Sequence, residues 1–86
     1  MKVRIPTPLR SYTANKAEVD VGGRTVAEVI DNLDASYPGI RFRMVDEQGR
    51  LRPHMNVFVA GERCRDLSTG LDGVDEVVLM QALSGG

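Results

Sequence analysis

An α+β domain is what this sequence predicts: a mixed sheet of four to five strands packed on one main helix at about residues 25–37. Three observations lead there. Short runs near both ends of the chain and at 55–59 alternate apolar with polar residues, the period of a half-buried strand. One stretch between them carries apolar residues at helical spacing. The 86 residues suffice for a single domain with a modest core.

The elements follow in order. "KVRIP" sets Val3 and Ile5 against Lys2 and Arg4, and Pro6 and Pro8 end the strand. "AEVDV" places Ala17, Val19 and Val21 on one face, with Glu18 and Asp20 on the other. The intervening loop is polar apart from Leu9 and Tyr12, so the two strands can form a hairpin. Gly22-Gly23 marks a turn, and Thr25 with Glu28 has the spacing of a capping box. Val26, Val29, Ile30, Leu33 and Tyr37 then share one helix face, while Asp31, Asn32, Asp34 and Ser36 look outward; Pro38-Gly39 stops the helix. Ile40, Phe42 and Met44 alternate with Arg41 and Arg43, which predicts a short strand or extended piece. Asp46 to Gly49 reads as a turn. "HMNVFVAG" is a strand with Met55, Val57 and Val59 inward, "ERCRDL" a short edge strand after Gly61, and "DEVVLMQAL" the last strand. If the first and last strands lie side by side in parallel, the order β-β-α-β-(β)-β is the β-grasp arrangement of ubiquitin.

Composition excludes several functions. Eleven basic against twelve acidic residues leave a net charge of −1, which argues against general nucleic-acid binding. The one cysteine, Cys64, permits no internal disulfide and fits a reducing compartment. No apolar run approaches a membrane span or a signal peptide, so no membrane partner and a cytoplasmic location are expected.

The informative segment is the end, "QALSGG". Ser84-Gly85-Gly86 has nothing apolar to bury, and glycine loses the most freedom on ordering, so residues 82–86 are expected to form a flexible arm on a single 1–86 domain. A carboxylate on such an arm can enter a narrow active site that admits backbone without Cβ. There it can be activated as a mixed anhydride and passed to a nucleophile. Alone the glycine pair is a weak signal, since chance gives it about once in 200 chains. A second feature points the same way. Strand alternation turns Phe58, Val78 and Met80 away from the helix. On neighbouring strands they would form one apolar patch, and such a patch suggests docking. The alternative is that segment 40–53 folds over this face.

"IPTPLRSYT", "TVAEVIDNLDASYPGI", "MNVFVAGE" and "DEVVLMQALSGG" together resemble the MoaD/ThiS sulfur carriers, ubiquitin-like β-grasp proteins that end in Gly-Gly. The resemblance spans the whole chain. The Ile-Pro-Thr-x-Leu-Arg segment is most similar to the cysteine-biosynthesis branch. One departure is Val74 in "LDGVDEV", which looks inserted relative to the family's Asp-Gly-Asp-x-Val and leaves the register of the last strand open by one position. The resemblance implies a carrier with no catalytic site and no bound cofactor. An E1-like activating enzyme of the MoeB/ThiF type would use ATP to adenylate Gly86, and a sulfur donor would convert it to a thiocarboxylate. Gly85 and Gly86 carry the sulfur, and Phe58, Val78, Met80, Leu83 and Ser84 meet the partners. The acceptor would be an enzyme such as a cysteine synthase, with a metal-dependent peptidase releasing the product. The alternatives are the small subunit of molybdopterin synthase and a ubiquitin-like modifier joined to target lysines through Gly86.

Other signals are weaker. Cys64 lies between Arg63 and Arg65, which could favour a thiolate, but no triad can be assembled around it, and a structural role is expected. His54 with Cys64 makes too few ligands for zinc, so no metal site is expected. Gly22-Gly23-Arg24-Thr25 lacks a phosphate-loop pattern. Arg41, Arg43, Arg50 and Arg52 read mainly as a solvated face, with partner docking as the alternative.

Overall fold

A computed structural model describes residues 1–82; Leu83, Ser84, Gly85 and Gly86, and with them most of the expected arm, lie outside the described residues. Strands β1 (Lys2–Arg4) and β2 (Glu18–Asp20) form the N-terminal hairpin, followed by helix α1 (Val26–Ser36) and a short helix α2 (Ile40–Met44). Strands β3 (Met55–Val59), β4 (Glu62–Cys64) and β5 (Glu76–Gln81) complete one sheet of order β2-β1-β5-β3-β4. Strand β5 sits in the middle, parallel to β1 and antiparallel to β3. This first-to-last parallel pairing is the one on which the β-grasp reading depended.

The alternation in each strand decides which side is buried. Val3, Val57, Val59, Val77 and Leu79 point to α1, whose Val26, Val29, Ile30 and Leu33 meet them in one buried cluster. The hairpin loop adds Leu9, fully buried at the end of a 3₁₀ turn (Thr7–Leu9) that carries Pro8 in its first positions. Among the described residues Thr13 is the one buried polar residue, and its hydroxyl donates to the Lys16 carbonyl at 2.9 Å. Ala17, expected to share the buried face, is exposed, although its carbonyl still accepts from the Ile5 N–H at 2.8 Å.

Helix α1 starts where its cap was expected. Thr25 Oγ1 accepts from the Glu28 N–H at 3.2 Å. Glu28 reaches one residue further back than a standard capping box, to the Arg24 N–H. The Val26 and Ala27 N–H groups, which no helix can satisfy internally, donate to the Thr69 and Leu67 carbonyls. Gly23 is required by contact: a Cβ there would sit 2.7 Å from the Val29 nitrogen.

The expected strand at 40–44 is a helix instead. Ile40 and Met44 share a face at either period, so they do not discriminate. Phe42 does: it would join them in a strand, but points to the opposite side in a helix, and it is 63% exposed while Ile40 and Met44 are fully buried. Two local features impose the helix. Gly39 takes a left-handed φ of 100°, and the Asp34 carboxylate accepts from both the Gly39 and Arg41 N–H groups at 3.0 Å. Asp34 is therefore a cap for α2 rather than a solvated residue, and Asp31 pairs with Arg41 at 3.0 Å.

Two further turns fix the sheet. Ala60 and Gly61 both have positive φ, as a tight two-residue hairpin between β3 and β4 requires. Val74 closes the turn that starts at Leu71 and packs against the core, so the extra residue is absorbed before β5 begins. The register of β5 is the expected one, with Val77 and Leu79 buried.

Two loop aspartates, half-buried Asp46 and exposed Asp66, accept hydrogen bonds that make the fold acid-sensitive. Hydrogen bonds from the Arg50 and Gln48 backbone hold the Asp46 carboxyl below its usual range, and the Ser68 hydroxyl and N–H do the same for Asp66. Both contributions are fully present above the ordinary value of 3.8 and fade as pH falls below it towards the depressed folded values. We expect D46N and D66N to flatten the decline of stability below about pH 4, measured by urea unfolding at each pH.

Candidate functional site

The outer face of the sheet is built by register. Arg4 pairs with Glu18 on β2 and lies beside Val78 on β5; Val78 faces Phe58 on β3, and Phe58 faces Arg63 on β4. One row thus runs Glu18–Arg4–Val78–Phe58–Arg63. In the next row, Met80 lies opposite Asn56.

The face has two halves. On the hairpin side Arg4 bonds Glu76 at 3.0 Å and Glu18 at 3.4 Å, and Lys2 reaches Glu18 at 3.9 Å. The Glu76 hydrogen bond, aided by both carboxylate charges, raises the Arg4 pKa further. These charges are mutually satisfied. On the other half Phe58 and Val78 are half-buried and Met80 is 49% exposed. Segment 40–53 does not cover them, because its Ile40, Met44, Val45 and Leu51 are buried in the cluster with α1. The three residues singled out from alternation therefore share one open face.

The chain leaves the body beside this face. After Gln81 pairs with Met55, the Ala82 N–H donates to the His54 carbonyl at 2.7 Å, so the ladder with β3 persists to the last described residue. Gly85, Gly86, Leu83 and Ser84 follow outside the described residues. His54 is half-buried and contributes its backbone to this ladder.

Cys64 turns its thiol to the helix side, 2.9 Å from Thr69 Oγ1 and 3.3 Å from the Asp66 carbonyl. Among the described residues no three His, Cys, Asp or Glu side chains gather as a metal site requires. No described helix is long and apolar enough to cross a membrane.

The sequence reading missed Arg65. Its guanidinium donates to the carbonyls of Met55, Leu51 and Arg52 at 2.7–3.0 Å, clamping the entry to β3 onto the end of β4. No sequence signal marks an arginine whose partners are backbone groups.

A five-stranded mixed sheet with parallel first-to-last pairing, crossed by one main helix, defines a ubiquitin-like β-grasp protein. The chain belongs to the ThiS family, whose sequence model matches residues 3–86 and so includes both terminal glycines. It is 36% identical over 89 residues to the sulfur carrier protein CysO of Mycobacterium tuberculosis, covering 98% of this chain and 96% of that one. The crystal structure of M. tuberculosis CysO superposes with a TM-score of 0.88 at 34% identity, over 95% of this chain and 98% of that one. CysO in the BexX/CysO complex structure from Amycolatopsis orientalis gives 0.89 at 35%, over 99% and 98%. Small archaeal modifier protein 3 of Haloferax volcanii is 35% identical over 65 residues, 72% of this chain and 70% of that one. The relatives are thus carriers and modifiers by name.

Proposed function

We propose that this chain is a sulfur carrier whose reactive group is the carboxylate of Gly86. The observation that carries the reading is family membership extending through Gly85-Gly86, on a body nearly superposable on CysO. In the first step a Gly86 carboxylate oxygen attacks the α-phosphorus of ATP on an E1-like enzyme. Pyrophosphate leaves and an acyl adenylate forms. Hydrosulfide from a donor then adds to the acyl carbon, AMP leaves, and loss of a proton gives the thiocarboxylate. This group is a nucleophile at neutral pH and transfers its sulfur to an acceptor. The Ile-Pro-Thr-x-Leu-Arg segment and the likeness to CysO favour a cysteine-forming acceptor, such as a cysteine synthase acting on an aminoacrylate. A metal-dependent peptidase would then release the product and restore Gly86. Reducing, cytoplasmic surroundings suit a free thiocarboxylate.

Phe58, Val78 and Met80, with Leu83 and Ser84, would seat the body on each partner. An apolar patch beside the exit lets one face serve the activating and accepting enzymes in turn. That CysO occurs in a complex with BexX supports docking of this fold on a protein partner. The decisive experiment incubates the chain with an E1-like enzyme, ATP and sulfide, and follows intact mass. Replacement of one oxygen by sulfur at Gly86 is expected; an unchanged mass with active enzyme would reject the reading. For docking, Met80→Asp should raise the enzyme's KM about tenfold without altering the thermal midpoint, because it charges an exposed apolar contact.

A second reading has its own support. The likeness to small archaeal modifier proteins favours conjugation, since the same adenylate can be captured by a lysine amine. Recovery of Gly86-to-lysine isopeptides from cells would establish it.

A further inference from the structure

The carrier chemistry leaves one feature unused: an open groove of about 310 Å³ lined by Phe42, Arg43, Arg52 and His54. Its position is set by the sheet. The Ala82 N–H to His54 carbonyl bond brings the departing chain to the residue that forms one wall. Phe42 is held on the surface by α2, whose Ile40 and Met44 are anchored in the core beneath it. The Arg52 guanidinium lies 4.8 Å from the centre of the Phe42 ring, and Arg52 Nε donates to the Phe42 carbonyl at 2.8 Å. Its charge is therefore held in place rather than left on a free stem.

The groove brings two arginines together with an aromatic ring and no acidic lining residue. The cations of Met1, Lys2, Arg4 and Arg41 are paired with carboxylates. Among the described residues no carboxylate lies within ion-pairing distance of Arg43 or Arg52, and none lines the groove. On a chain of net charge −1 this is a local positive site with an aromatic floor.

We propose that this groove is a second docking point, built for the acidic rim of the E1-like adenylating enzyme that binds the C-terminal arm. Carboxylates of that rim meet Arg43 and Arg52, and an apolar side chain lies on Phe42. The inference rests on the carrier reading and specifies its partner's chemistry. A single-stranded RNA is disfavoured, because Phe42 is the one Phe, Tyr or Trp among the groove's lining residues and offers no platform for successive stacking. With the apolar patch and this groove both beside the exit, a partner that meets both fixes orientation as well as contact. Rim charges of this kind act chiefly on encounter rate and salt dependence.

The test measures pyrophosphate release by an E1-like adenylating enzyme with ATP, using the full chain over about 50–300 mM salt. Arg43→Glu is the main variant, since the Arg43 side chain makes no hydrogen bond or ion pair among the described residues; Phe42→Ser is the second, and Asp72→Lys, in the turn before β5, is an exposed control. At low salt R43E should raise KM about tenfold with kcat unchanged and with a flatter salt response. F42S should raise KM at every salt concentration, and D72K should behave as the parent, all three with parental thermal midpoints. Equal KM for R43E and the parent at low salt would overturn the groove alone. Retention of poly(U) that is lost in R43E would overturn it in favour of RNA. Absence of pyrophosphate release from the unaltered chain would overturn the carrier reading and the groove together.

Discussion

Deleting Gly86 should abolish sulfur loading outright while leaving the body as stable as before. The shortened chain still ends in a glycine carboxylate, so the chemistry of the group is unchanged. Its position is not: one residue of extended backbone spans about 3.5 Å. Anhydride formation needs the attacking oxygen within about 3–3.5 Å of phosphorus, and a displacement of about 1 Å can already cost 10²-fold. A full residue of shortfall should therefore remove measurable product. The described fold, residues 1–82, contains none of the deleted atoms, so the urea midpoint should not move. Intact mass after incubation with enzyme, ATP and sulfide reads the first effect, and circular dichroism in urea reads the second. Normal loading of the truncated chain would show that the reactive carboxyl group lies elsewhere.

The features that could be read beforehand are those that depend on residues near each other in sequence. Helix α1 was legible because a capping pair, a single apolar stripe and a Pro-Gly stop coincide within 15 positions, from Thr25 to Gly39. The outward face of Phe58, Val78 and Met80 followed from alternation alone, once the sheet was assumed. Helix α2 was misread because Ile40 and Met44 fit both periods, and the cap that decides between them, Asp34, sits on the preceding helix. Arg65 and the Phe42–Arg52 pair escaped for a related reason. Their partners are backbone carbonyls and a ring brought together by the tertiary fold, and an arginine bound to a carbonyl has the same sequence signature as a solvated one. The arginine cluster itself was visible; its place at the chain's exit was not, because that depends on the pairing of β5 with β3.

The body's role is tested by damaging it without touching the arm. Leu33→Ala should destabilise the fold by about 3–5 kcal/mol. Leu33 is fully buried in the middle of α1, in the cluster formed with Val26, Val29, Ile30 and the inward strand residues. Truncation to Ala forfeits the burial of three carbons and leaves a cavity that the surrounding strands cannot collapse to fill. A chain of this length has a total stability of about 4–13 kcal/mol, so one substitution removes a large share of it. The thermal midpoint should fall by on the order of 10–30 °C. A loss below about 1 kcal/mol would mean that α1 is not packed on the sheet as described. The functional consequence separates handle from warhead. In a warm assay L33A and the Gly86 deletion both yield little product, for different reasons. Cooled to a temperature where L33A is folded, it should load sulfur at the parental rate, because its outer face, its groove and its terminal carboxylate are all intact. The Gly86 deletion should remain inert at every temperature. A folded L33A that still failed to load would show that the core shapes the chemistry as well as the grip.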